Sequence, residues 1–510
     1  MFSFHMAENT IQVDGVIRVS ANSDSNGSTA ESTLPLTLFD TFWLKFPPVE
    51  RLFFYELTHL THPLFDSVIL PNLKRSLSLT LLHYPPLAGQ IKWPPQAPKP
   101  AVFYSPKDGV SVTVAESNAN FDRVSADDIH EALELRPLTP ELVTSDDFAD
   151  MVALQITLFP NKGFSIGVST HHAIFDGKSS TTFIKSWAHL CKSLIDEDQQ
   201  SPSLPPELTP SFDRTVIKDP TGADVSFVEK WFGLDGKYSS NSRSLKVFPT
   251  FGAIQNSVRG TFELSREDLT KLRNRVEEYY QVKESKHKLH LSTFVLTCAY
   301  VFVCMVKARG GDKDRQVVIG FAADYRTRLE PPITSNYFGN CVGTQASFLK
   351  AEDLMEEKGV EIAAEKLSEA IKGLENKGAV EALEQIFGLY GKVEQGIQIL
   401  GTAGSNRFGV YETDFGWGRP KKVEIVSIDR TGSVSLAESR RAHGGVEVGL
   451  VLDKNEMDAF ASFFYQVASW AETIKNQSPV CAVDSWAEAS KNQRKVHFCS
   501  PKSVSITSRI

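Results

Sequence analysis

The segment His171–Gly177 reads HHAIFDG and lies between a predicted strand and a predicted helix. The strand, expected over Gly163–Thr170, pairs back through a tight turn with the alternating run Met151–Phe159. The helix is predicted to begin near Ser179 and Ser180, which are good N-cap residues. A histidine at such a junction is held rigidly, as a general base requires. It could equally be a hydrogen-bonded structural residue, and the residues alone leave both interpretations open.

Composition narrows the class of protein. The chain has 510 residues, of which 41% are hydrophobic and 23% charged, which is typical of a globular protein with two or more domains. Its formal charge of −8 argues against nucleic acid or an anionic membrane as a partner. The longest apolar run, Phe294–Val306, is too short to cross a bilayer. The 6 cysteines lack CxxC spacing, so we expect reduced thiols in the cytoplasm.

The chain divides where its composition changes. Residues 201–224 are rich in proline and serine, which predicts an interdomain linker. We therefore expect an N-terminal domain over residues 34–200 and a C-terminal domain over residues 225–477. Residues 1–33 are polar, have no apolar segment typical of a secretory signal, and are predicted to be disordered. Residues 478–510 lack periodicity and are predicted to form an irregular tail.

Three further motif matches are weak. Gly163–Gly167 fits GxSxG, but its serine begins a strand, whereas a nucleophile elbow places it between a strand and a helix. Asp414–Gly416 matches the kinase DFG triplet, but no glycine-rich phosphate loop or HRD loop accompanies it. The adjacent histidines and Asp176 have no convincing further ligand at a workable spacing, so no metal site is predicted.

Two arginines follow a predicted buried strand in the segment Asp324–Arg328, which reads DYRTR. They are either a solvated surface pair or include a buried arginine that anchors a carboxylate, for which the planar guanidinium is suited. The sequence alone leaves these two interpretations open.

Two motifs taken together resemble a known family. His172–Gly177 and Asp414–Gly418 resemble the HxxxD and DFGWG signatures of the plant BAHD acyltransferases, in the same order and about 240 residues apart. Tyr337–Cys341 reads YFGNC and is similar to the corresponding element of the anthocyanin and flavonoid glucoside acyltransferase branch. The resemblance covers about residues 34–475.

The resemblance implies an α/β fold of the chloramphenicol-acetyltransferase type, with two domains and an active-site channel at their interface. It implies an acyl-CoA-dependent O-acyltransferase in which His172 is the general base that activates an acceptor hydroxyl, without an acyl-enzyme. Asp176 is then expected to pair with Arg326 and to fix the loop that carries His172. The DFGWG residues are expected to support the site structurally; these are Asp414, Gly416, Trp417 and Gly418.

The donor is less certain from sequence than the reaction. The loop after the HxxxD motif looks like that of malonyltransferases, and Lys178 either pairs with a malonate carboxylate or is a solvated loop lysine. A hydroxycinnamoyl donor is the alternative. For CoA, Lys286 and Lys288 precede a helix that starts at Ser292 and Thr293, where free backbone amides suit a phosphate.

We therefore expect two small-molecule substrates, malonyl-CoA and a flavonoid, anthocyanin or other phenolic glucoside. No permanently bound cofactor is expected, and the protein is expected to be a monomer. The rival hypothesis from another class is a non-catalytic homologue that only binds ligands, against which the intact motifs argue. The sequence does not identify the acceptor glucoside.

Overall fold

The structure is a computed structural model of the chain. The residues that it describes are 11–21, 30–196, 202–235, 243–248, 256–282, 289–374, 378–390 and 396–466. The strands of this part, in chain order, are β1 Ile11–Val19, β2 Ser32–Pro35, β3 Val49–Glu56, β4 Gln90–Lys92, β5 Ala101–Tyr104, β6 Val110–Ser117, β7 His130–Glu131, β8 Phe148–Asp150, β9 Val152–Phe159, β10 Gly163–Thr170, β11 Ser257–Leu264, β12 Gln316–Asp324, β13 Val342–Lys350, β14 Gln398–Leu400, β15 Thr402–Gly404, β16 Lys422–Ile425, β17 Val434–Glu438 and β18 Val446–Asp453.

Helices connect these strands and cover the sheets. In chain order they are α1 Leu38–Phe42, α2 His62–Leu64, α3 Leu70–His83, α4 Phe121–Val124, α5 Gly177–Asp196, α6 Ala223–Asp235, α7 Arg266–Val282, α8 Thr293–Arg309, α9 Ala351–Met355, α10 Gly359–Gly373, α11 Ala379–Tyr390, α12 Ile428–Thr431 and α13 Lys454–Phe464. None of these helices is both long and apolar enough to cross a membrane.

The two largest sheets each take strands from both halves of the chain. The six-stranded sheet has the order β1-β6-β9-β10-β3-β16, and the five-stranded sheet has the order β15-β17-β18-β11-β7. Strand β16 comes from the second half but pairs with β3, and β7 comes from the first half but pairs with β11. The interdomain linker at residues 201–224 stays a prediction. Strands β16 and β7 each pair with a strand from the other side of that linker.

The hairpin that leads to the HHAIFDG segment has the predicted form. Strand β10 pairs with β9 from Gly163 opposite Phe159 to Thr170 opposite Val152, and with β3 on its other side. The turn has Asn161 at a φ of 61°, which asparagine tolerates better than most residues. Every residue of β9 and β10 is buried, so the end of β10 has little freedom to move. The serine of the GxSxG match lies within this strand and not in an elbow.

One face of the six-stranded sheet carries the main core. Helices α3 and α5 pack together, with Leu77 and Phe183 in the same buried cluster. Trp187 is completely buried there, and its indole Nε1 donates hydrogen bonds to the carbonyl of Leu73 and to the hydroxyl of Ser76. Because a buried indole N–H needs a partner, these bonds fix the position of α5 relative to α3.

A buried ion-pair cluster joins the two large sheets. The guanidinium of Arg259 on β11 lies 3.1 Å from the carboxylate of Glu424 on β16 and donates to the carbonyl of Val426. The ammonium of Lys422 lies 2.7 Å from the carboxylate of Asp127. Buried charges need such partners, so the cluster couples the strand exchange to the packing of the two sheets.

Two predictions of local structure were wrong. Residues 1–33 were predicted to be disordered, but β1 lies within them and pairs with β6, and β2 begins at Ser32. A bulge between Val13 and Gly15 interrupts the alternation of β1, and Val13 and Val16 are exposed like the polar residues beside them, so no alternating pattern marks the strand in the sequence. Residues 352–374 are rich in glutamate, alanine and lysine, which predicts one long helix, but they form two. The chain turns just before Gly359, where a Cβ would lie 2.3 Å from the carbonyl oxygen of Leu354. The predicted tail at 478–510 lies outside the described residues.

Candidate active site

The loop between β10 and α5 carries the two adjacent histidines. His171 is buried; its backbone N–H donates to the carbonyl of Met151, and its Nδ1 accepts from the backbone N–H of Ala173. Burial lowers the pKa of His171 to about 3, and the charges of His172 and Lys45 act in the same direction. This imidazole is therefore neutral and already occupied by the turn that it stabilises.

His172 has a different environment. Its ring stacks on the indole of Trp43, with the centroids 4.1 Å apart and an interplanar angle of 8°. The side chain is only partly buried, and its Nδ1 is enclosed. Burial lowers the pKa of His172 to about 4, against the opposing effects of its own backbone and of Asp176. Near pH 7 the ring is a neutral imidazole that can accept a proton.

Asp176 turns away from this ring and pairs with Arg326. The Nη1 atom of Arg326 lies 2.9 Å from Oδ2 of Asp176, and each side chain is 1% exposed. The carboxylate also accepts the backbone N–H groups of Ser179 and Cys341. Burial alone would raise the pKa of Asp176, but Arg326 and these N–H donors lower it, so the carboxylate is ionised. Of the two arginines in DYRTR, Arg326 is the buried anchor and Arg328 is exposed.

The start of α5 differs from the prediction. Ser179 and Ser180 were expected to cap the helix, but Asp176 does so, since its Oδ1 accepts from the backbone N–H of Ser179. The hydroxyl of Ser179 instead donates to the carbonyl of Gly339 in the YFGNC segment. Aspartate is as good a cap as serine, so propensity could not decide between them.

A contact that the sequence did not reveal ties the histidine loop to the start of the chain. Asn340 donates through its side-chain amide to the backbone carbonyl of His172 at 2.9 Å and to Oδ1 of Asp40 at 3.1 Å. Asp40 is completely buried and also accepts from the backbone N–H and hydroxyl of Thr37. Asp40 and Asn340 both lie within the region that resembles the family, but no local pattern in the sequence pairs them.

The remaining YFGNC residues lock the same region. The guanidinium of Arg214 donates to the hydroxyl of Tyr337 at 2.6 Å and to the carbonyl of Phe338 at 2.7 Å. A Cβ on Gly339 would lie 1.9 Å from Nη1 of Arg214, so only glycine lets the guanidinium approach this backbone. The segment therefore supports the histidine loop from behind.

The DFGWG segment packs as a structural element. Oδ1 of Asp414 accepts the backbone N–H groups of Gly416 and Gly418, and Oδ2 pairs with the ammonium of Lys192 at 2.7 Å. Phe415 is completely buried, with its ring centroid 4.9 Å from that of Trp187. The neighbouring Trp417 packs edge-on against Phe164 of β10. Its contacts hold α5 and β10, and among the described residues no hydrogen bond, ion pair or ring contact joins it to His172.

The residues expected to bind the acyl donor and CoA are less closely grouped than those around His172. The ammonium of Lys178 lies 3.7 Å from a carboxylate oxygen of Asp324, and more than a third of each side chain is exposed. Ser292 caps α8 by accepting from the backbone N–H of Val295, and Thr293 is the first residue of that helix. The predicted Lys286 and Lys288 lie outside the described residues.

Known proteins resemble this chain over nearly its whole described length. The family model described as the Transferase family matches residues 20–467. Phenolic glucoside malonyltransferase 1 of Arabidopsis thaliana is 46% identical, over 90% of this chain and 98% of its own length. Malonyl-CoA:anthocyanidin 5-O-glucoside-6''-O-malonyltransferase of the same plant is 45% identical, over 91% and 99%. The crystal structure of vinorine synthase superposes with a TM-score of 0.63 at 20% identity, covering 90% of this chain and 98% of that one, which confirms the predicted fold.

We predict that Asp176 and Arg326 act as one unit in stability. Removing either partner strands the other charge in a buried site, which typically costs about 3–5 kcal/mol. Asp176→Ala and Arg326→Ala should each lower the free energy of unfolding by about that amount, and the double variant should lose much less than the sum. Chemical denaturation of the four proteins measures the coupling. Strictly additive losses would contradict the pair.

Proposed function

Since this chain belongs to the Transferase family, that of the BAHD acyltransferases, we propose that it transfers a malonyl group from malonyl-CoA to a sugar hydroxyl of a phenolic, flavonoid or anthocyanin glucoside. The observation that carries the proposal is the 46% identity to a phenolic glucoside malonyltransferase over 98% of that enzyme. The His172 loop is intact and its imidazole is neutral, which argues against a non-catalytic homologue that only binds ligands.

His172 is proposed as the general base of a direct transfer. Its Nε2 removes the proton from the acceptor hydroxyl, and the hydroxyl oxygen forms a bond to the carbonyl carbon of the thioester. The carbon–sulfur bond of the resulting tetrahedral species then breaks, and the CoA thiolate recovers the proton from the imidazolium. Proton and electron pair are balanced without an acyl-enzyme or a bound cofactor, and His171 takes no part.

The geometry around His172 supports this role. Stacking on Trp43 fixes the plane of the ring, and the Asn340 bond to its backbone carbonyl fixes the loop. A positioned base typically contributes about 10²–10⁴-fold to the rate. The larger remainder comes from holding the two substrates together and from stabilising the oxyanion.

The remaining assignments follow from the same proposal. The helix start at Ser292 and Thr293, with Lys286 and Lys288 before it, is proposed to bind the CoA phosphates, because free backbone amides and ammonium groups suit anions. A hydroxycinnamoyl donor is the alternative to malonyl. The protein is proposed to act as a monomer in the cytoplasm, since its cysteine pattern suits a reducing compartment.

The first test removes the proposed base. His172→Ala should lower kcat by about 10²–10⁴-fold while the Kd for CoA changes little, because the imidazole acts on the acceptor proton. His171→Ala is the control and should retain far more activity, provided that it folds. Steady-state kinetics and CoA titration measure both. An inactive His171→Ala with an active His172→Ala would reverse the assignment.

A second test uses the pH dependence. His172 can accept a proton only when it is neutral. Its lowered pKa of about 4 keeps it neutral at pH values well below 6.5, the usual pKa of histidine. We expect kcat/KM to stay level from about pH 8 to pH 5.5 and to fall only below that range. Buried His171 also resists protonation, so the free energy of unfolding decreases as the pH falls below 6.5 toward about 3. Circular dichroism must therefore confirm the fold at each pH of the kinetic series. An inflection near pH 6.5 in folded enzyme would contradict the assigned environment of His172.

The donor is tested by direct competition. Purified protein incubated with equal concentrations of malonyl-CoA and coumaroyl-CoA, and with a set of phenolic glucosides, should give malonylated products in excess by about tenfold or more. Mass spectrometry separates the two product classes and identifies the acceptor. Predominant coumaroylation would replace the donor in the proposal and leave the acyltransfer mechanism unchanged.

A further inference from the structure

A cavity lies beside the loop that carries the HxxxD motif. It is small and partly open to solvent, and it lies between β3 and β16 on one side and β17 and β18 on the other. Its lining includes Arg51, Phe408, Lys422, Glu424, Leu436 and Glu447. The cavity therefore combines apolar walls with charged groups, as small-molecule sites commonly do.

Arg51 is the unusual group in this cavity. Its guanidinium is almost completely buried, and its Nη1 donates a hydrogen bond to the hydroxyl of Thr181 at 2.6 Å. Among the described residues its Nε has no partner, and no carboxylate lies within ion-pair distance. Burial lowers the pKa of Arg51 to about 10, with the charge of Glu438 acting the other way, so the group remains charged near neutral pH. Glu438 is the carboxylate whose charge acts on Arg51, but the two do not form an ion pair. A buried cation without a paired carboxylate is costly, which points to a bound anion that completes it.

The second cation of the cavity does not share this property. The ammonium of Lys422 lies within 4 Å of carboxylate oxygens of Asp127, Glu424 and Glu447, and it also donates to the hydroxyl of Thr261. Its charge is compensated by the protein. Of the two cations in the lining, Arg51 is the one with capacity for an anionic ligand.

Arg51 is also placed close to the proposed chemistry. It stands opposite Val168 in the β3–β10 register, and four residues of extended chain from there to His172 span at most about 13 Å. The Nη2 atom lies 3.5 Å from the point where a Cβ on Gly177 would be, so the guanidinium abuts the motif's glycine. The ring of Phe408 covers it at 5.9 Å.

We propose that Arg51 binds the free carboxylate of the acyl donor and thereby selects a dicarboxylic acyl group over a neutral one. The inference rests on the proposed function and extends it to a specificity-determining residue. The malonyl carboxylate lies two bonds beyond the thioester carbonyl, and a guanidinium can hold it through two parallel hydrogen bonds. An acetyl or coumaroyl group leaves the buried cation unpaired, and a site discriminates strongly when the wrong substrate leaves its polar groups unsatisfied.

Lys178, the cation indicated by the sequence, is a weaker candidate. Its ammonium already faces Asp324, and both side chains are more than a third exposed. Exposed pairs contribute little to binding because water and salt screen them. Arg51 and Lys178 are alternative partners for the malonyl carboxylate, so one experiment decides between them.

The experiment compares malonyl-CoA with acetyl-CoA, which differ by the carboxylate, on wild-type enzyme and three variants. Arg51→Gln removes the buried charge, and Lys178→Gln removes the exposed one. Arg430→Gln is the matched control, because Arg430 pairs with Glu50, the neighbour of Arg51 on β3, and is 30% exposed. Arg51→Met is a second replacement of similar length in case the glutamine variant does not fold.

We expect Arg51→Gln to lower kcat/KM for malonyl-CoA by about 30- to 1000-fold and to change the value for acetyl-CoA by less than about threefold. Lys178→Gln and Arg430→Gln should leave the ratio of the two donors within about threefold. Equal losses with both donors in a folded Arg51 variant, or a loss of the preference in Lys178→Gln alone, would overturn the inference.

The same data separate this inference from the function beneath it. Preference of the wild-type enzyme for malonyl-CoA over acetyl-CoA tests the proposed donor. Loss of that preference in the Arg51 variants tests whether Arg51 binds the malonyl carboxylate. A wild-type enzyme that uses malonyl-CoA with an unaffected Arg51→Gln overturns the inference alone. A wild-type enzyme that uses only coumaroyl-CoA overturns both.

Discussion

The buried ion pair between Asp176 and Arg326 is the interaction on which the site depends. Asp176 ends the HxxxD motif and caps α5, whereas Arg326 follows β12 and donates to the carbonyls of Tyr337 and Gly339. One pair of side chains thus joins the histidine loop, a helix start, a strand end and the YFGNC segment. Because each charge has almost no access to water, neither can leave without a large desolvation penalty. Under the proposed mechanism, the motif aspartate acts on the chemistry only through the loop that it holds.

That fixed loop gives His172 its properties. The backbone is held from one side by Asn340 and from the other by the end of β10, so the ring can lie flat on Trp43 without support from a carboxylate. In many hydrolases an aspartate orients the catalytic imidazole and stabilises its charged form. Here burial dominates and disfavours the charged form. An imidazolium formed during the reaction is then short-lived, which suits a base that must return its proton to the leaving thiolate.

The sequence anticipated the local structure better than the long-range partnerships. The β9–β10 hairpin followed from alternation and a turn, and these are short-range signals. The contact between Asp40 and Asn340 joins positions 300 residues apart, and no local pattern encodes it. The burial of Arg51 was equally hidden, since a charged residue in a strand reads as exposed until its neighbours are known. Resemblance to a family supplied the motif roles, but it did not reveal which cation is buried.

Two buried arginines in this chain show why that distinction matters. Arg326 has the carboxylates of Asp176 and Asp324 and two backbone carbonyls around its guanidinium, and the protein itself balances its charge. Arg51 has one hydroxyl, an aromatic ring and a cavity. A fold that needed only stability would replace such a residue with an apolar one, because an unpaired buried charge costs more than it contributes. Most of the desolvation of Arg51 takes place during folding, so an incoming carboxylate meets a cation that has little water left to lose. Binding there is selective for charge because the protein has left the counter-ion to the substrate.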